Sequence, residues 1–103
     1  MPQNTITLEQ AQQWAKNWRD NPDPSVIAFL IPEIDLTQVM AERESVDVRT
    51  YLGIDDDNKC KLMIVGVNAS GNDLIDDSKG QYIYDMTSAC QPNCDINSPL
   101  FNI

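Results

Sequence analysis

Residues 45–67, SVDVRTYLGIDDDNKCKLMIVGV, constrain the fold more than any other stretch. Val46, Val48, Thr50, Leu52 and Ile54 alternate with Asp47, Arg49, Tyr51 and Gly53, the period-two pattern of a strand with two unlike faces. The polar run DDDNK, residues 55–59, has the length of a hairpin turn. CKLMIVGV, residues 60–67, is apolar on both faces apart from Lys61, so this second strand belongs in the middle of a sheet. An antiparallel sheet follows, and the rest of the chain has to cover it.

The first cover is a helix whose start is well marked. Thr7 is placed to cap it with Gln10 three residues on, a capping box. Leu8, Ala11, Trp14, Ala15 and Trp18 then recur at helical spacing, and the prolines of DNPDP (20–24) stop the helix. Val26 to Ile31, closed by Pro32, reads as a short buried strand. A second helix is expected over roughly residues 33–43, with Ile34, Val39 and Met40 inward, Leu36 near the edge of that stripe, and Glu33 and Asp35 favoured by the dipole in its first turn. NASGND (68–73) is a turn, LIDDSKGQ (74–81) a loop, and YIYDM (82–86) a last strand. The expected class is α+β, with two helices packed on one face of a mainly antiparallel sheet of three to five strands.

At 103 residues the chain has room for one domain, residues 1–103, with an irregular C-terminal tail over 87–103. Sixteen acidic residues face seven basic ones, a net charge of −9, which argues against nucleic-acid and anionic-membrane binding because phosphate contacts need a basic face. Histidine is absent, so no Ser-His or Cys-His nucleophile can be assembled. The opening MPQNTITLEQ has neither the basic start nor the apolar run of an export signal, and three cysteines fit a reducing compartment; the expected location is the cytoplasm.

AFLIP (28–32), VRTYLG (48–53), KLMIVGVNASGNDLID (61–76) and CQPNC (90–94) together resemble an uncharacterised family of short bacterial proteins. The resemblance covers most of residues 26–94 in pattern, and the first helix in character only. Members tend to end in Cys-Pro-Pro-x-Cys, where this chain has Gln91 at the first proline, and often carry Asp at the position of Asn68. A family without an assigned function supplies no reaction and no ligand. The resemblance implies that these segments belong together.

Four readings stay open for Cys90 and Cys94: packing thiols, a small-loop disulfide or reversible thiol pair, part of a metal site with Cys60 as third ligand, or a catalytic pair. The metal reading needs a carboxylate as fourth ligand, an uncommon set. Asp55–Asp57 and Asp73, Asp76 and Asp77 read as solvated turn carboxylates, since DDDNKCKLMIVG lacks the glycine an EF-hand loop requires. Trp14 and Trp18 read as core. Arg49 and Tyr51 share a strand face, where a cation beside an aromatic ring suits a carboxylate ligand or a partner's acidic group or, alternatively, an internal acid. No phosphate loop, dinucleotide fingerprint or serine elbow is present, and no cofactor or metal is expected. The functional expectation is a small acidic, non-enzymatic module that binds another protein or itself; the alternative is a thiol- or metal-dependent protein using Cys90, Cys94 and Cys60.

Overall fold

The computed structural model describes residues 2–102. The hairpin is at its centre: β3 (Asp47–Ile54) and β4 (Cys60–Val67) pair antiparallel from Asp47↔Val67 to Ile54↔Cys60. The Asp55 carboxylate accepts from the backbone N–H groups of Asp57 and Lys59 and holds the turn between them. The other edge of β4 takes β5 (Asp73–Leu74) and β6 (Ile83–Tyr84), and β6 in turn takes β1 (Thr5–Ile6). All these pairings are antiparallel, which gives a five-stranded sheet with β4 central, as its apolar sequence predicts.

Helix α1 (Leu8–Asp20) starts on the expected capping box, Thr7 accepting from the Gln10 N–H and Gln10 reaching back to the Thr7 N–H. Ala11 and Trp14 pack on Ile6, Met63, Val65 and Ile83. Helix α2 (Glu33–Ala41) packs Val39 on Ile64 and Tyr84 instead. Successive strand residues point to opposite faces, so Met63 and Val65 lie on one side of β4 and Ile64 on the other. The class is α+β with a mainly antiparallel sheet, but the two helices lie on opposite faces of the sheet rather than sharing one.

That arrangement changes several expectations. Asp35, not Ile34 or Met40, is inward on α2: Asp35 and Val39 are 0% exposed, Ile34 and Met40 each 48%. Leu36 is exposed as well. The alternating row on β3 is also outward for most of its length, with Val46, Val48 and Leu52 exposed and only Ile54 buried. A nine-residue helix is too short to cover both β4 and β3, and it lies over β4 and Tyr84. The opposite face of β3, through Tyr51 and Gly53, is the one that meets α1.

Of Val26–Ile31, only β2 (Ala28–Leu30) is a strand, and it is not central. It pairs with β7 (Ser88–Cys90) in a separate two-stranded sheet, leaving Ile27 and Leu30 exposed. β7 also brings regular structure into the stretch expected to be irregular, while residues 91–102 contain no helix or strand. The segment expected as a loop after Asp73 holds part of β5 and a 3-10 turn, Asp77–Lys79, whose cap Asp76 accepts from Ser78. Thr87 fastens the approach to β7. Its hydroxyl accepts from the Leu62 N–H and donates to the Leu62 carbonyl, standing in for a backbone ladder.

Candidate functional site

Arg49 and Tyr51 converge on one carboxylate. Arg49 Nη1 donates to Asp73 Oδ1 at 2.5 Å, and the Tyr51 hydroxyl donates to Asp73 Oδ2. The register explains the convergence. Arg49 faces Val65 across the β3–β4 ladder, and Asp73 faces Val67 across the β4–β5 ladder, all on the α1 side. Arg49 therefore reaches over β4, spanning two interstrand gaps of roughly 4.8 Å each, and also donates to the Gly71 carbonyl. The carboxylate holds Arg49 further into its charged form and pushes the Tyr51 hydroxyl above its ordinary pKa, because ionising it would lose that bond. In this structure both side chains are engaged by an internal acid, Asp73.

Beside this cluster a groove of about 350 Å³ opens between α1 and the sheet. Its helical wall is Leu8, Ala11, Gln12, Ala15 and Arg19, one face of α1 read at intervals of three and four. Met63, Val65, Ile75 and Ile83 contribute apolar surface, and Tyr51 and Asp73 a polar edge. Arg19 was not singled out in the sequence, where it reads as the wet side of the helix. Its place on the groove lining comes from the packing of α1 on the sheet.

The cysteines divide. Cys90 and Cys94 form a disulfide with their Cα atoms 4.7 Å apart, closing the start of the tail onto the end of β7. Cys60 is free and buried, and burial pushes its thiol pKa up, helped by Asp23 and Asp55, so it is a poor nucleophile. No group of three or more His, Cys, Asp or Glu side chains that could hold a metal ion occurs among the described residues. A shallow cavity lined by Cys60, Thr87, Gln91 and Pro92 separates the free thiol's strand from the tail loop.

Two acidic side chains that the sequence marks only as polar are structural. Asp35 accepts from Asn4 Nδ2 and the Met86 N–H. Glu42 Oε2 accepts from the Tyr84 hydroxyl and the Tyr82 N–H, while its Oε1 is buried without a partner. Trp14 is core as expected, and Trp18 is half-buried. No helix among the described residues is long and apolar enough to cross a membrane. No family model matches the chain, nor does any curated protein or solved structure.

Proposed function

We propose that the chain is a non-catalytic interaction module that self-associates through the outer edge of β3. One observation carries this reading. Among the described residues β3 pairs with β4 alone, so its edge is open up to Ile54, whose carbonyl accepts from Asn17 Nδ2, and it is flanked by the exposed Val46, Val48 and Leu52. Open edges are ordinarily blunted by proline, lysine or a bulge, and the sequence of β3 has neither proline nor lysine. Two copies paired antiparallel about Thr50 bring Val48 opposite Leu52, Arg49 opposite Tyr51 and Asp47 opposite Gly53. No like charges meet in that register, and the contact is the same on both partners. The net charge of −9 on each copy opposes association, so added salt strengthens it.

The test is sedimentation equilibrium over a micromolar to millimolar series at two ionic strengths. Wild-type protein is expected to shift toward a dimer, more so at the higher salt. Val48→Lys with Leu52→Lys, both at exposed positions, is expected to stay monomeric with an unchanged circular dichroism spectrum. A wild-type monomer throughout the series defeats self-pairing.

Membership of the family of short bacterial proteins and a cytoplasmic location belong to the same proposal. In the cytoplasm, glutathione keeps accessible cysteines reduced. Alkylation at lysis therefore tests the location: modified Cys90 and Cys94 agree with it, and a protected pair places the protein in an oxidising compartment. The second reading is thiol- or metal-dependent action through Cys90, Cys94 and Cys60; the Cys90–Cys94 bond supports only its thiol part, since bonded sulfurs are not metal ligands. It fails if replacing both tail cysteines with serine leaves fold and phenotype unchanged.

A further inference from the structure

We infer that the groove between α1 and the sheet binds a medium-chain carboxylate, its head on Arg19 and its chain running toward Leu8, Ile75 and Ile83. The volume of about 350 Å³ lies at the small end of the range for ligand sites, roughly 300 to 1,000 Å³. Leu8 and Arg19 stand eleven residues apart on α1, about 16 Å along the axis at 1.5 Å per residue, so the groove is elongated. Ala11 and Ala15 lie between them, and their short side chains leave the space that longer residues would fill. Leu8 and Ile75 are exposed although they line an apolar channel, and a hydrocarbon chain laid there removes their surface from water together with its own.

Charge selects the sign of the head group. Asp73 is the one acid on the lining, and both of its oxygens are engaged by Arg49 and Tyr51. Arg19 has no acidic side chain within salt-bridge distance among the described residues. With Asp73 neutralised by Arg49, the groove carries the unbalanced positive charge of Arg19 inside a chain of net charge −9. A carboxylate head meets that charge in a forked geometry, and a cationic head is repelled by it. The site lies on the α1 face of the sheet, opposite the exposed row of β3, and meets the self-pairing register only at Tyr51 on its polar edge.

The experiment is titration calorimetry with octanoate below its micelle concentration, alongside octyltrimethylammonium and octanol, followed by methyl NMR of Ala11 and Ala15. Octanoate is expected to bind one per chain and shift both methyl signals, while the cation does not bind. Arg19→Gln is expected to weaken octanoate by about two- to five-fold, the worth of one ion pair at an exposed arginine, and to leave octanol unchanged. Ile75→Glu, at an exposed position where the fold tolerates it, is expected to abolish binding by putting a charge in the apolar end. Absence of octanoate binding, equal binding of the cation, or indifference to Arg19→Gln overturns the inference.

Discussion

Asn4 Nδ2 donates a 2.7 Å hydrogen bond to Asp35 Oδ1, tying the residue before β1 to the buried face of α2. The other oxygen of the same carboxylate accepts from the Met86 N–H just beyond β6. Asp35→Ala leaves the buried Asn4 amide and the part-buried Met86 N–H without their partner, at about 1–3 kcal/mol for the buried one and less for the other. The expected loss is about 2–4 kcal/mol by urea unfolding, large for a single substitution. A double-mutant cycle with Asn4→Ala should return a coupling above about 0.5 kcal/mol, and additivity would show that the two side chains act independently.

Glu42 produces a pH dependence of the opposite sign from a salt-bridged acid. Its burial outweighs the bonds from Tyr84 and Tyr82, so its pKa is raised above the ordinary 4.5. A carboxyl raised in the folded state binds protons more readily there than in the unfolded chain. Its contribution to stability is complete below pH 4.5 and is lost as pH rises through the folded value. Asp85, also raised by burial, acts in the same direction. Asp23 and Asp76 are lowered by their serine partners, and they contribute above pH 3.8 and lose that contribution as pH falls through their folded values. Urea midpoints of wild type and Glu42→Gln are therefore expected to differ with pH. The wild type should gain on the variant as pH falls from 7 toward 4.5, and parallel curves would contradict the assignment.

Gly53 sets how closely α1 approaches the sheet. A Cβ there would lie 2.9 Å from Met63 Cε, 3.0 Å from Trp14 Cβ and 3.3 Å from the Trp14 backbone carbon. The methionine end can swing away, whereas the Trp14 atoms move only with the helix. Gly53→Ala is expected to cost about 1–3 kcal/mol, as overpacking does, seen as a lower melting temperature followed by tryptophan fluorescence. An unchanged melting temperature would mean that α1 is not pinned at this point.

The Cys90–Cys94 bond closes a short loop, worth about 2 kcal/mol if chain entropy alone decides. Its effect should be local. Cys90 pairs with Ala28, and its carbonyl accepts from the Ile27 N–H at 2.8 Å. Cys94→Ser is expected to speed hydrogen exchange at Ile27 and within β2, with protection in β4 retained. Equal loss of protection in β4 would make the bond a support of the whole fold.

What could be read from the chain follows the range of the interactions. The capping box at Thr7 and Gln10, the hairpin turn at Asp55 and the central position of β4 depend on neighbours in sequence, and each was legible. The inward face of α2 was not, because an apolar count favours Ile34 and Met40, while Asn4 and Met86, distant in sequence, supply the partners that draw Asp35 inside. The β3 row leaves its direction open for a related reason. Alternation identifies two faces without saying which one a short helix will cover. The joining of Arg49 and Tyr51 to Asp73 needs the β4–β5 register, and no residue of the turn between those strands announces it.

The central position of β4 has a consequence for how the protein is made. Ile6, Ala11 and Trp14 bury against Met63, Val65 and Ile83, and Val39 buries against Ile64 and Tyr84. Of the buried sheet residues in those two clusters, all but Ile6 lie in the second half of the chain. While the first 54 of 103 residues emerge from a ribosome, α1 has only Ile6 and β3, through Tyr51 and Gly53, to meet its apolar face, and Val39 of α2 lacks Ile64 and Tyr84. The nascent chain stays without a core until the hairpin and then β6 arrive, and it condenses late, around a strand made after most of what packs on it.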